Sequence, residues 1–296
     1  MKVRNLVGSS EEQTITELTV EEQSTGELSI GLGYSSLEQT SLAFGIDERN
    51  FLGTGRALSL SFELSQKRSN FRLGVAEPYL FGRNLTGRAG VFNDKVKQDS
   101  VSISKTGFDF GIGFEAAQDY YHNVGYELSQ SKTTESSKTA TSITGENGAQ
   151  ILTSAASYVV GQDRLDNRLD PSEGTLFELR QELAGIGGDA KFYKVTGRAA
   201  YYRPVNFNAL FFGVKGRASQ VVGLGEKVTQ SQRFFLGGRD VRGFALSGIG
   251  PRDTGSKAAV GGNTLVTGSV EVVSHLGLSK DLNMRWTVRS EEHTSE

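Results

Sequence analysis

The sequence predicts an all-β fold, and within that class an antiparallel transmembrane β-barrel, on three observations. Apolar and small polar residues alternate with period two in one segment after another, as in Ala57–Ser65, where Leu58, Leu60, Phe62 and Leu64 interleave with Ser59, Ser61, Glu63 and Ser65. Glycine is abundant, at 37 residues, and proline scarce, at 4, a balance that suits tightly packed, curved strands. Finally, the links between segments alternate between compact, often aromatic turns and longer polar loops, an asymmetry that a barrel with two unlike ends requires and a soluble sandwich does not.

Composition narrows the function. A net charge of -2, without a dense Lys/Arg cluster, gives no footprint for nucleic acid. With 0 cysteines and three widely spaced histidines, His122, His275 and His293, neither a thiolate nor a histidine metal site is expected, and no cofactor is implied. No apolar run approaches the roughly 18 residues of a transmembrane helix, but barrel strands need only about 9–11 residues with every second one apolar. Met1–Asn5 lacks the apolar core of a signal peptide, so an exported chain would be a mature piece or a fragment.

Taken in order, residues 1–25 are polar, with a strand-like patch at Thr14–Val20, and read as a tail preceding the barrel. The barrel is expected over 26–288. Its first strand is Glu27–Ser35, where Leu28, Ile30, Leu32 and Tyr34 alternate with Ser29, Gly31, Gly33 and Ser35. Further strands are expected at 41–47, 57–65, 70–77, 84–92, 107–116, 123–131, 152–162, 175–183, 191–203, 209–220 and 265–275, with the start of another at 282–288. Compact turns are expected at 49–55, 78–83, 118–122, 169–174 and 204–208, and long links at 132–150 and 221–263. After Val288 the alternation stops, and 289–296 reads as a non-native tail.

The segment Arg233–Phe244 is neither strand nor flexible linker. Three arginines and three phenylalanines sit among its glycines, a mixture suited to a packed, desolvated site. It reads as a loop folded back into the barrel, with Phe234, Phe235, Gly237 and Gly238 packing it and Val241, Arg242, Gly243 and Phe244 at its tip. A buried Arg242 needs a carboxylate. Glu271 is the expected partner, because Val270 and Val272 face one way and Glu271 the lumen. No enzyme is indicated: Glu63, Glu115, Glu178 and Glu182 fall on separate strands and read as lumen lining, and the glycine-rich loop lacks the Lys-Ser/Thr ending of a nucleotide-binding loop.

Val241-Arg242-Gly243-Phe244, placed after the eleventh strand, resembles the loop-six motif of the BamA-type outer-membrane assembly factors, a surface-antigen and insertase superfamily. Ser24–Tyr34 resembles the family's first strand, Asn50–Gly55 its first periplasmic turn, and 170–174 and 248–251 also fit. The resemblance implies a sixteen-stranded barrel in the bacterial outer membrane, of which twelve strands and part of a thirteenth would be present, preceded by periplasmic POTRA domains, of which the tail at 1–25 would hold at most the last strand, near Thr14–Glu22. It further implies a lateral seam at which nascent β-barrel proteins template on the first strand, here Glu27, Leu28, Ile30, Gly31 and Gly33. The partners it implies are outer-membrane lipids, nascent β-barrel proteins, assembly-complex lipoproteins reached through the periplasmic domains, and periplasmic chaperones. A two-partner secretion transporter and a passive porin are the alternative readings.

Overall fold

The computed structural model describes residues 2–7, 14–19, 24–36, 38–98, 101–135, 148–205, 210–238, 240–241, 243–255, 257–275 and 285–295. Two strands, β1 (Lys2–Val7) and β2 (Thr14–Thr19), form an antiparallel pair by themselves. The expected patch at 14–20 is β2; β1, whose sequence carries little apolar signal, was not expected.

The remaining strands are β3 (Gly26–Ser35), β4 (Gln39–Glu48), β5 (Ala57–Ser65), β6 (Arg68–Glu77), β7 (Thr86–Gln98), β8 (Val101–Ala117), β9 (Tyr120–Glu135) and β10 (Gln150–Asp163). They continue as β11 (Gly174–Ala184), β12 (Phe192–Val205), β13 (Leu210–Gly223), β14 (Thr264–His275) and β15 (Arg285–Ser295). These thirteen form one antiparallel meander in strict chain order, from β3 at one edge to β15 at the other. Among the described residues no helix is long and apolar enough to cross a membrane.

The register explains why the pattern reads as it does. Leu28, Ile46, Leu60, Leu73, Val91, Phe108 and Leu128 are paired side by side, each with the next, across seven strands from β3 to β9. One residue along, the row is Ser29, Gly45, Ser61, Arg72, Phe92, Gly107 and Ser129. A one-residue step thus exchanges a continuous apolar band for a row of mostly small and polar side chains, which is the division between the lipid face and the lumen face of a barrel wall. The outward band stays uncovered, with Val91 47% and Phe110 50% exposed, whereas Ser129 and Ser131 on the other face are buried.

Strands β7 and β8 run on to a Gln98–Val101 pairing, well past the expected 84–92 and 107–116. Beyond the apolar band the polarity inverts: Lys95, Lys97, Ser102 and Ser104 occupy the outward positions, and Val96, Val101 and Ile103 the inward ones. Backbone pairing tolerates the inversion, but a search for an outward apolar face stops there. The turn expected at 118–122 shrinks to Gln118-Asp119, with Asp119 at φ 66, because Tyr120, Tyr121 and His122 pair with Gln162, Gly161 and Val160. The strand expected to stop at Val288 continues to Ser295, since β14 offers backbone partners up to Leu265 whatever side chains face them.

Two turns share one conformation. Leu52 (φ 54) and Phe81 (φ 57) both adopt the left-handed region, each followed by a glycine near φ 70, and in both the first residue of the turn closes it from its backbone N–H (Phe51 to the Arg56 carbonyl, Leu80 to the Leu85 carbonyl, 2.8 Å each). The connection into β11 is built on Asp166, whose carboxylate accepts from the Ser172 hydroxyl (2.6 Å) and from the Ser172 and Glu173 amides (3.0 and 3.1 Å). These bonds hold the Asp166 carboxyl down at about 2, the Ser172 hydroxyl contributing most. Gly174 closes this connection at φ +113, where a Cβ would lie 2.0 Å from the Arg164 carbonyl oxygen.

Candidate functional site

The long link between β13 and β14 is an ordered body. A 3-10 turn at Gln230–Gln232 starts it, after which Phe234 exchanges backbone hydrogen bonds with Gly262 (2.8 and 2.9 Å) and the Ile249 amide donates to the Leu236 carbonyl (3.1 Å). Deeper in, the Gly238 amide reaches the Phe244 carbonyl at 3.1 Å, closing a tight hairpin of loop. Gly237 makes this neck possible: it sits at φ +129, and a Cβ there would lie 2.2 Å from the Ala245 carbonyl oxygen. Pairing within the loop satisfies backbone groups that burial would otherwise leave costly.

The loop's apolar residues face the lumen wall. Val228, Phe234, Leu236 and Val241 form one buried cluster with Ala155, Ala184, Ala190, Phe192, Val221 and Leu265, flanked by Ile151 and Ile249. Leu236 is 1% exposed and Val241 3%. Each such side chain withdrawn from water contributes roughly 1.5–3 kcal/mol, which is what holds a 40-residue-scale excursion inside instead of in solution. Gly237 and Gly238 are buried and Phe235 is half-buried, while Phe244 is 43% exposed and meets the His293 ring edge-on at 5.2 Å.

At the tip, Asp240 and Val241 reach a cavity of about 350 Å³ lined also by Arg198, Lys215, Arg217 and Arg289. Beside it, Glu271 is 7% exposed. Its carboxylate takes Lys215 Nζ at 2.9 Å, Arg289 Nη2 at 3.2 Å and the Tyr202 hydroxyl at 3.2 Å. Arg242, the expected partner, lies outside the described residues; those that hold Glu271 within them come from three other strands. The sequence reading missed Lys215, Tyr202 and Arg289 because their approach depends on register: Glu271 pairs with Gly213 on one side and Arg289 on the other, Gly213 in turn pairs with Tyr202, whose ring lies over the glycine and reaches Glu271, and Lys215 comes in diagonally. The signal was present in Gly213, a glycine directly opposite a lone inward carboxylate.

At the far end of the sheet, among the described residues, β3 pairs with β4 alone, and all ten of its residues are exposed, including Glu27, Leu28 (64%), Ile30 (69%), Gly31 and Gly33. Among the same residues β15 pairs only with β14. Each edge therefore presents a row of backbone donors and acceptors. Among the described residues no group of three or more His, Asp or Glu side chains is spaced to hold a metal ion.

A curved antiparallel wall with a lipid face, a polar inner face and a loop packed into its lumen defines a transmembrane β-barrel protein. The family model described as the Omp85 superfamily domain matches residues 50–288, and the chain belongs to that superfamily. Within it the chain is of BamA type. It is 31% identical over 276 residues to the outer membrane protein assembly factor BamA of Neorickettsia risticii, covering 92% of this chain and 37% of that protein. BamA of Nitratidesulfovibrio vulgaris is 28% identical, covering 89% of this chain and 34% of the relative. The sorting and assembly machinery component 50 homolog of Mus musculus is 25% identical over 241 residues, covering 80% and 50%.

The chain thus spans between a third and a half of the length of these relatives. Among solved structures, BamA from Haemophilus ducreyi lacking POTRA domains 1-3 superposes with a TM-score of 0.82 at 22% identity, over 99% of this chain and 62% of that one. CdiB from Escherichia coli shares the fold at a TM-score of 0.54 and 13% identity.

Proposed function

We propose that this chain is the barrel domain of an outer-membrane protein insertase, which folds and inserts β-barrel proteins through a lateral seam beside β3. It is a bacterial outer-membrane protein. The observation that carries the reading is the free edge of β3: ten residues long, unpaired on one side among the described residues and apolar on its lipid face, it offers an incoming strand both backbone partners and a continuation of the apolar band that begins at Leu28. Gly31 and Gly33 add little side-chain packing, so exchanging one neighbouring strand for another costs little.

The driving force lies in the substrate's own pairing and burial in lipid, so no nucleotide is consumed. The loop bearing Val241, Arg242, Gly243 and Phe244, with Phe234, Phe235, Gly237 and Gly238 in its body, braces the inner wall between β10 and β15. Arg242 adds its charge to the Glu271 cluster when the loop is seated. Substrates are nascent β-barrel proteins; outer-membrane lipids are the solvent, and the assembly lipoproteins and periplasmic chaperones engage the rest of the full-length protein.

The test is insertion of an unfolded β-barrel protein into lipid vesicles that carry the full-length protein, with no nucleotide added. Ile30→Pro and Gly31→Pro each remove one β3 amide, and consecutive amides point to opposite edges, so one variant spares β4 pairing and blanks the free edge. Roughly tenfold slower insertion is expected in that variant, with the barrel intact by heat-modifiable migration. Undiminished insertion in both variants would overturn the reading.

A further inference from the structure

The loop's entry arm has a polar seat that the proposed Arg242–Glu271 contact does not use. Lys194, on β12, is an inward residue paired with Glu182 on one side and Val221 on the other. Its Nζ donates to Gln232 Oε1 in the 3-10 turn at 2.9 Å. The same ammonium lies 5.3 Å from the centre of the Phe192 ring, on its own strand, and 5.6 Å from that of Phe234, on the loop. A neighbouring contact joins the same turn to β9, where Ser131 Oγ donates to Ser231 Oγ at 3.2 Å.

We propose that Lys194 is a positioning residue that docks the entry arm of the loop to the lumen wall, by holding its ammonium between a wall phenylalanine and a loop phenylalanine while donating to Gln232. Physical chemistry favours a cation here over the aliphatic residue that would fill the same space. The rings of Phe192 and Phe234 are both buried, so the ammonium acts in a desolvated setting where ring-face attraction is strongest, and a purely apolar side chain would leave the buried Gln232 amide oxygen without its donor. The contact is also directional. It fixes which turn of the loop meets β12, whereas the apolar cluster below it tolerates sliding. Lys194 belongs to the wall and the Arg242 tip to the loop's far end, so the loop is held at two places.

Because the chain has 0 cysteines, the seat can be read directly. Ser131→Cys with Ser231→Cys places two thiols where two hydroxyls now touch, and disulfide formation under a mild added oxidant reports loop docking in the full-length protein in membranes. Lys194→Met keeps the length and apolar stem but loses the charge, and Lys194→Arg keeps the charge. Cross-linking is expected to slow roughly tenfold in Lys194→Met and to recover largely in Lys194→Arg, the loss of a desolvated cation–π contact plus a charge-assisted hydrogen bond.

Should Lys194→Met fail to give a folded barrel, Gln232→Leu and Phe234→Leu, which alter only the loop, are expected to slow cross-linking in the same way. This arm is independent of what the protein does. A second arm rests on the insertase reading: the preformed disulfide should restore insertion to Lys194→Met. Cross-linking as fast as in the parent in the Met and Leu variants overturns the proposal even if insertion is affected; normal seating dependence with no insertion defect overturns only its link to insertion.

Discussion

Lys215 on β13 and Glu271 on β14 meet at 2.9 Å although they are not opposite each other in the ladder; Gly213 faces Glu271, and Lys215 faces Ser269. Gly213 makes room in this row for both the Tyr202 ring and Glu271: a Cβ there would lie 2.7 Å from Tyr202 Cε1 and 3.1 Å from Glu271 Cγ. Arg289 on β15 and Tyr202 on β12 complete the ring around the carboxylate, so one side chain ties four adjacent strands. Replacing it, Glu271→Gln, leaves two cations facing a neutral amide. A loss of about 1–3 kcal/mol is expected, since Lys215 is partly open to solvent and its charge is screened.

Double-mutant cycles separate the partners of Glu271. With Lys215→Met the coupling is expected at roughly 0.5–3 kcal/mol, and Arg242→Ala should couple to Glu271→Gln as well if the loop tip joins the cluster. Arg242→Ala alone should reduce heat-modifiable barrel. Strictly additive effects of Arg242→Ala and Glu271→Gln would remove the proposed contact between tip and wall.

Gly237→Ala tests the neck of the loop. The backbone there is in a region that L residues rarely enter, and the added Cβ has the Ala245 carbonyl oxygen 2.2 Å away, so the hairpin between Gly238 and Phe244 must open. The cost is of order 1–3 kcal/mol, large enough to unseat Val241 without dissolving the wall. Protease cleavage within 224–263 should accelerate in the variant while the strands stay protected.

The connection into β11 carries a pH signature. The Asp166 carboxyl is held at about 2 in the folded turn, below its ordinary value of 3.8, chiefly by the Ser172 hydroxyl. A depressed folded value means the stabilisation is complete above the ordinary carboxylate range and is lost as pH falls from about 4 towards 2. Hydrogen exchange of the Ser172 and Glu173 amides should therefore rise over that window, and Asp166→Asn should abolish the pH dependence while keeping part of the protection. A flat profile in the parent would contradict the role of Asp166.

The two faces predict opposite tolerance to charge. Val91→Arg, in the outward band, should cost about 2–4 kcal/mol if it lies near the bilayer midplane. Ser61→Arg, one row inward, adds a cation beside Arg72 in a water-accessible lumen and should cost under about 1 kcal/mol. Urea titration of barrels folded in lipid distinguishes the two.

What the sequence disclosed and what it hid follow one rule. Strands whose apolar residues face lipid announce themselves, as Leu58 to Leu64 do, because period two and the bilayer impose the same pattern. The extensions of β7 and β8 past Phe92 and before Gly107 were illegible because the apolar side changes from outward to inward there. Strand β15 past Val288 was hidden for a different reason: a backbone edge pairs without asking which side chains it meets. The loop could be placed from its Arg, Phe and Gly content. The contacts around it, Lys194 on the wall with Gln232 on the loop and Lys215 with Glu271 within the wall itself, depend on register and on how the loop folds back, and composition carries none of that.

The central claim is that the free edge of β3 receives the incoming strand. Single cysteines introduced one at a time from Glu27 to Tyr34 in the full-length protein, against single cysteines in the terminal strand of an arrested β-barrel substrate, test it most directly. The account predicts disulfides confined to one antiparallel register or a small set of them, each pair shifting by one residue in opposite directions along the two strands. Cross-links that ignore register, or that appear from lumen positions such as Ser129 while β3 stays silent, would contradict it.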